Sequence, residues 1–223
     1  GGVIEPIGHT KVLHDFDAGP APMGDMPFLV VNRDGQRFVN EEVEMALLAN
    51  YLRSAHDAGH YCQVFDSDYM TAAAKWPGLL FPPERLKSYM PEEPGPKPGV
   101  FPSQTSTWKA DTLEELARKL EVNPANFVAT VKRYNELCAL GRDMDFGKRA
   151  DHLIPVAKPP FYGIHRRLRV TAIVSGMLVD TDSAVLNEQG RAIPGLYAVG
   201  NLAGGFYGGA DYPSKANDTI VRF

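Results

Sequence analysis

The feature that most restricts the fold is a run of prolines in the middle of the chain. Eight of the 18 prolines lie between Pro77 and Pro102. Each proline lacks a backbone N–H and fixes φ, so neither a long helix nor a central strand can cross this stretch. We predict an extended surface loop here, with one short helix near residues 84–89.

Local patterns before the loop predict a hairpin, a helix and a strand. The strand-like runs 28–32 and 36–40 are joined by an Asp-Gly pair, which is typical of a tight hairpin turn. Apolar residues at spacings of three and four then predict an amphipathic helix from residue 41 to about 58. A strand follows at residues 61–65.

After the loop, two helices are predicted in tandem. Thr112 and Glu115 have the spacing of a capping box at the start of a helix that ends near residue 121. Asn123 and Pro124 supply an N-cap and a proline at the first helical position of the next helix, which ends at Gly141.

The last sixty residues read as strand and loop. Residues 162–170 and 171–179 are strand-like, and residues 195–200 are typical of a short buried strand. We therefore predict an α+β fold with a domain boundary near residues 160–170.

Composition excludes several classes of function. An apolar content of 44% argues against disorder, and a net charge of −4 gives no support for nucleic-acid binding. No apolar run approaches the roughly 18 residues of a membrane span. Cys62 and Cys138 could form one disulfide at most, and no zinc or other metal site is indicated.

The densest candidate for a binding site is the segment 200–209, which has five glycines in ten residues directly after a predicted strand. Such a segment lets the backbone approach a ligand closely and suits an anionic or carbonyl-rich cofactor. An ordinary surface loop is the alternative, and the chain contains no Gly-x-Gly-x-x-Gly motif.

Two motifs resemble one known family. Residues 30–41 (VVNRDGQRFVNE) and residues 192–205 (AIPGLYAVGNLAGG) are similar to the paired motifs of the fumarate reductase and succinate dehydrogenase flavoprotein superfamily. That superfamily also contains 3-ketosteroid dehydrogenases and enoate reductases. The motifs lie about 150 residues apart in the expected order, and Tyr134-Asn135 between them fits as well.

The resemblance implies an FAD enzyme in which a capping domain interrupts the flavin domain. Residues 1–165 correspond to the capping domain, and residues 166–223 correspond to the C-terminal part of the FAD-binding domain. The N-terminal Rossmann half would then be a separate part of a longer parent chain, so we predict that this sequence is a fragment whose partners are that half and a small-molecule substrate.

Fumarate itself fits poorly. The arginine proton donor of fumarate reductases corresponds to Met45 here, and the dicarboxylate-gripping motif corresponds to residues 207–211. A dianion would meet Asp211 instead of an arginine, which is unfavourable. Tyr207 and Asp211 are the predicted substrate-binding residues.

The ketosteroid dehydrogenase branch is the closer resemblance. Asn201 lies where fumarate reductases keep glutamate, and Tyr212-Pro213 matches the Tyr-Pro of that branch. There the tyrosine hydrogen-bonds the substrate carbonyl and stabilises an enolate. Tyr212 is therefore the predicted catalytic residue, with a loop anchor as the alternative interpretation.

The predicted cofactor-binding residues form two groups, one in the glycine-rich segment and one at the start of a predicted final helix. In relatives this helix directs its N-terminus at the flavin. The first group is Gly200, Asn201, Gly204 and Gly205, and the second is Ala216 and Asn217.

The resemblance thus implies an FAD-dependent transfer of hydride to or from a carbon–carbon double bond conjugated to a carbonyl, in an enone or enoate, with a steroid-like ketone as one option. Two alternatives stay open. The chain is a capping or interaction module that is inactive on its own, or it is a divergent flavoprotein without turnover.

Overall fold

The computed structural model describes residues 1–4, 10–14, 26–43, 48, 52, 60–75, 83–92, 107–166, 168–173 and 176–204. The chain divides into two compact units. The sheet unit comprises residues 14–43 and 52–168, and the glycine unit comprises residues 1–13, 44–51 and 169–223. The mixture of helices and antiparallel sheets confirms the α+β class. Whether the two units are capping and flavin-binding parts stays a prediction.

A four-stranded antiparallel sheet forms the centre of the sheet unit. Its strands are β2 (Leu29–Val31), β3 (Tyr61–Asp66), β4 (Trp108–Ala110) and β5 (Phe161–Arg166), in the order β2-β3-β5-β4. All six residues of β3 are buried. Helix α1 (Tyr69–Lys75) follows β3, and a 3-10 helix (Pro83–Tyr89) is the short helix predicted within the proline-rich stretch.

Both tandem helices form with the predicted caps. In α2 (Leu113–Lys119) the side chain of Thr112 accepts a hydrogen bond from the N–H of Glu115, and in α3 (Pro124–Leu140) Asn123 accepts one from the N–H of Asn126. Gly141 ends α3 in the left-handed conformation that a helix C-terminus favours. The apolar stripe of α3, including Phe127, packs in one core with the sheet.

The predicted hairpin at residues 28–40 is wrong in its second arm. The turn itself forms, because the N–H of Gly35 donates to the carbonyl of Asn32. Residues 36–40 are not a strand, however, and β2 pairs with β3 instead. The chain turns away after Gln36 because the side chain of Arg37 enters a buried group of charges.

Other predicted elements differ in their limits. Residues 41–43 form a turn, so the helix predicted from residue 41 begins later; residues 48 and 52 are helical, and its other residues lie outside the described part. The two predicted strands after residue 162 divide at residue 167, as β5 and β6 (Leu168–Ile173), and β6 pairs with β1 (Thr10–His14). A 3-10 helix (Ala150–His152) precedes β5.

The glycine unit contains β7 (Ala184–Leu186) and β8 (Ala192–Tyr197), which pair antiparallel. The prediction of a buried strand here is wrong in its burial: Leu196 is 40% exposed and Tyr197 is 65% exposed. The apolar sequence of this strand is typical of a buried position. In the described part of the chain, however, β8 pairs only with β7, and most of its residues are exposed. No helix in the described part of the chain has the length and apolar character to cross a membrane.

Candidate functional site

The predicted cofactor segment begins where β8 ends. Residues Gly200–Leu202 form a 3-10 turn, and the N–H of Ala203 donates to the carbonyl of Gly200 at 3.1 Å. The N–H of Gly204 then donates to the carbonyl of Met177 at 2.8 Å. The structure therefore brings Gly200, Asn201 and Gly204 into one short stretch of backbone.

The remaining predicted site residues lie outside the described residues, so their roles stay predictions. They are Gly205, Tyr207, Asp211, Tyr212, Ala216 and Asn217, together with Met45 at the family's donor position.

The first residue of this stretch, Gly200, has a backbone conformation that favours glycine. Gly200 adopts φ = +63°, which a side chain rarely tolerates, and a Cβ at this position would meet nothing within 4 Å. Next to it, Val199 is 56% exposed and Leu202 is 71% exposed. The space that a Cβ of residue 200 would occupy is therefore open, and two exposed apolar side chains lie close to it in the sequence.

A second cluster, in the sheet unit, explains the RF-x-x-E part of the first motif. Arg37 donates two hydrogen bonds of 2.8 Å to the carboxylate of Glu41 and one of 2.7 Å to Asp143. Lys148 lies 3.2 Å from the same carboxylate of Glu41 and donates to the hydroxyl of Tyr134 at 2.8 Å. All four charged side chains are at most 5% exposed.

The pKa values of this charge cluster follow from burial and pairing. Burial by itself would raise the pKa of Asp143, but hydrogen bonds from Arg37 and from three backbone N–H groups outweigh it and lower that pKa far below its usual range. Burial lowers the pKa of Lys148, and the charge of Glu41 opposes this shift. Burial, followed by the charge of Glu41, raises the pKa of Tyr134. The formal charges of two cations and two anions balance, so the charge cluster offers no spare charge to a ligand.

Sequence reasoning missed the partners in this cluster. Arg37 and Glu41 carry the motif, but Asp143 and Lys148 follow them by about 100 residues. Five charged residues lie between positions 142 and 149, after α3 ends, and nothing in the sequence singles out Asp143 and Lys148 among them.

A cavity of about 300 Å³ beside α1 holds several charged groups. Each of the described ones has a protein partner: Asp66 accepts the N–H groups of Ala157 and Lys158 at 2.8 Å, Asp68 pairs with the ammonium of Lys158, and His152 pairs with Glu42. Among the residues that the structure describes, no group of His, Cys, Asp and Glu is placed to hold a metal ion.

Comparison with protein families matches residues 24–215 to the family described as FAD binding domain. A vinyl phenol reductase of Lactiplantibacillus plantarum is 29% identical over 203 residues, which cover 88% of this chain and 40% of that protein. A 4-oxocyclohex-2-ene-1-carboxylate 5-dehydrogenase of Sinomonas cyclohexanicum is 34% identical over 205 residues, which cover 83% of this chain and 32% of that protein.

Among solved structures, a 3-ketosteroid delta1-dehydrogenase of Sterolibacterium denitrificans, in complex with 1,4-androstadiene-3,17-dione, superimposes with a TM-score of 0.66. It is 26% identical, and the match covers 92% of this chain and 39% of that chain. The chain therefore spans 40% or less of the length of each of these three relatives.

Proposed function

The chain belongs to the FAD binding domain family, within the fumarate reductase and succinate dehydrogenase flavoprotein superfamily, and from this premise we propose that the whole protein is an FAD-dependent oxidoreductase. Its reaction moves hydride between the flavin and a carbon–carbon double bond conjugated to a carbonyl. The observation that carries the proposal is the family match, which covers residues 24–215 and so includes the glycine-rich segment 200–209.

The names of the relatives support this class of substrate. An oxocyclohexene carboxylate and 1,4-androstadiene-3,17-dione each place an alkene beside a carbonyl, whereas the alkene of a vinyl phenol is conjugated with an aromatic ring. Asp211 would oppose a dicarboxylate, so the proposed substrate is a neutral or singly charged enone or enoate, with a steroid-like ketone as one option.

Bound FAD would supply the hydride donor or acceptor at N5 of its ring system. The chain would contribute the rest of the site. The backbone would lie close to the cofactor at Gly200, Asn201, Gly204 and Gly205. The N-terminus of the predicted final helix, at Ala216 and Asn217, would favour negative charge on the flavin. Tyr207 and Asp211 contact the substrate, and the hydroxyl of Tyr212 donates a hydrogen bond to the substrate carbonyl as negative charge develops on its oxygen.

In the same proposal, residues 1–165 act as a capping domain, and an N-terminal Rossmann half elsewhere in the parent chain completes the flavin site. The exposed apolar side chains of β8 favour this view, because a strand with uncovered Leu196 and Tyr197 offers a surface to such a partner. Without that half, the chain would be an inactive module.

The test compares the whole protein with the chain alone. We expect the purified whole protein to show flavin absorbance and to reduce or oxidise a cyclic enone with an artificial electron carrier, and the isolated chain to lose FAD on desalting. Tyr212→Phe should retain flavin and lose at least about 100-fold in kcat.

Tyr89→Phe is the matched control, because it makes the same change at a tyrosine of the sheet unit that is not among the predicted site residues. A whole protein that is colourless after incubation with FAD would refute the oxidoreductase proposal. Equal turnover in Tyr212→Phe and the wild type would remove the role of Tyr212, and flavin without turnover of any enone or enoate would favour a divergent flavoprotein.

A further inference from the structure

Backbone hydrogen bonds tie the described end of the cofactor segment to residue 177. The N–H of Met177 donates to the carbonyl of Leu202 at 2.8 Å, and the N–H of Gly204 donates to the carbonyl of Met177 at 2.8 Å. Met177 and Ala203 pair as neighbours in a parallel bridge. The side chain of Leu202 is 71% exposed, so the path of residues 202–204 depends on the backbone of residues 176–177.

Gly176 makes this contact possible. A Cβ at residue 176 would lie 2.1 Å from the carbonyl oxygen of Leu202 and 2.4 Å from its carbonyl carbon. Real Cβ atoms essentially never come within 3.0 Å of another heavy atom. Because both clashing atoms are backbone atoms, no change of rotamer can relieve the contact. The carbonyl would have to move by about 1 Å.

We propose that Gly176 is a positioning residue for the flavin site. This inference rests on the proposed function, in which the segment from Gly200 to Gly204 lies against FAD. Any side chain at residue 176 displaces the carbonyl of Leu202 and, through the short turn that contains it, the backbone at Gly200. Gly176 acts through that backbone and need not touch the cofactor itself.

The test is Gly176→Ala in the whole protein, with Gly190→Ala as the matched control. Gly190 lies in the same unit at φ = +71°, and a Cβ there would meet nothing within 4 Å. Alanine at residue 190 therefore adds backbone strain to the unit without touching residues 200–204. The measurements are the Kd of FAD for the apoprotein and the visible circular dichroism of bound FAD.

We expect Gly176→Ala to weaken FAD binding by about tenfold or more and to change the dichroism of the bound flavin, because the backbone beside the ring has moved. Gly190→Ala should leave the dichroism unchanged and the Kd within about twofold. An unaltered Kd and dichroism in Gly176→Ala would overturn the proposal, and so would equal effects of the two variants.

A second measurement applies even if Gly176→Ala folds poorly. In the wild type, FAD should slow amide exchange at Met177 and Gly204, whose N–H groups hold the segment. Unchanged exchange at both residues in a protein that retains FAD would refute the role of Gly176. A wild type that retains no FAD would instead refute the proposed function, and this inference with it.

Discussion

At the scale of single residues, the carboxylate of Asp143 accepts four hydrogen bonds in the charge cluster. One oxygen of its carboxylate accepts the N–H groups of Asp145 and Phe146, and the other accepts those of Arg37 and Lys148. One side chain thus folds the turn after α3 and neutralises a buried guanidinium. Arg37 also lies over the rings of Tyr134 and Phe146, at 5.1 and 4.9 Å from their centroids.

We expect Asp143→Asn to lower the free energy of unfolding by about 2–4 kcal/mol at pH 7, because the amide leaves part of the charge of Arg37 unpaired in a buried site. The folded-state pKa of Asp143 is lowered, so its contribution is present above the unfolded pKa of about 4 and is lost as the pH falls below it. Urea unfolding at pH 7 and pH 3 measures both effects. The gap between wild type and variant should shrink at pH 3, and a constant gap would contradict this account.

Cys138 should be a slow nucleophile. Burial raises the pKa of its thiol to about 11, so at pH 8 its thiolate fraction is about two orders of magnitude below that of an ordinary cysteine. We expect slow alkylation by iodoacetamide in the folded protein and normal alkylation in guanidinium, followed by mass spectrometry of the peptide that contains residue 138. Equal rates in the two conditions would show that the thiol is accessible and ionised.

At the scale of elements, the turn at residues 32–35 is fitted to the start of α3. The carbonyl of Arg33 accepts the N–H of Asn123, the N-cap of that helix. A Cβ on Gly35 would lie 2.8 Å from the carbonyl oxygen of Asn123 and 2.8 Å from the N–H nitrogen of Phe127. The Asp-Gly pair therefore joins a turn to a helix, whereas the sequence alone indicates a hairpin.

Gly35→Ala should lower the free energy of unfolding by about 2–4 kcal/mol, because it combines a left-handed φ of +74° with a backbone clash. Gly141→Ala is the control, since its φ is +67° and its Cβ would meet nothing within 4 Å. Strain alone should cost about 1 kcal/mol there. Equal losses in chemical denaturation would show that the contact with α3 contributes nothing.

The end of α2 offers a stabilising change. Glu121 has φ = +54° at the position where a helix C-terminus favours glycine. We expect Glu121→Gly to raise the free energy of unfolding by about 0.5–1 kcal/mol and Glu114→Gly, in the first turn of the same helix, to lower it by a similar amount. Thermal unfolding of both variants decides the matter; a decrease in both would mean that Glu121 makes a compensating contact.

These elements show which parts of the fold are readable from sequence. The caps at Thr112, Asn123 and Gly141 are local, since each depends on residues within four positions. The path after Gln36 depends on Asp143, more than 100 residues away, and no local pattern indicates it. In the candidate site, the density of glycines predicts Gly200 and Gly204, and their roles stay predictions. The proposed role of Gly176 rests on its contact with the carbonyl of Leu202, which the sequence alone does not indicate.

At the scale of the whole molecule, the two units differ in how much core their described residues form. The sheet unit has two clusters of buried apolar side chains, one against α2 and α3 and one around Phe65, Tyr69 and Tyr162. In the glycine unit, the buried apolar residues that the structure describes are Leu48, Ala184, Val185 and Ala198. Four buried side chains, two of them alanines, contribute much less free energy on burial than the two clusters of the sheet unit.

We therefore expect amide hydrogens of β7 and β8 to exchange at least about tenfold faster than those of β3 and β5, because local opening of the glycine unit costs less. Exchange measured by mass spectrometry on the chain alone tests this directly. Equal protection of the two pairs of strands would indicate that the glycine unit has a larger core than its described residues provide.

The charge cluster also limits how this protein can be recombined with its relatives. Arg37 and Glu41 come from one stretch of the chain, and Asp143 and Lys148 come from another. A chimaera that exchanges residues 26–43 without residues 143–148 places the partners of two buried ion pairs, Arg37–Asp143 and Glu41–Lys148, in segments from different proteins. Residues 26–43 and 143–148 must therefore be exchanged together, because any single crossover between them separates charged residues that pair in the folded protein.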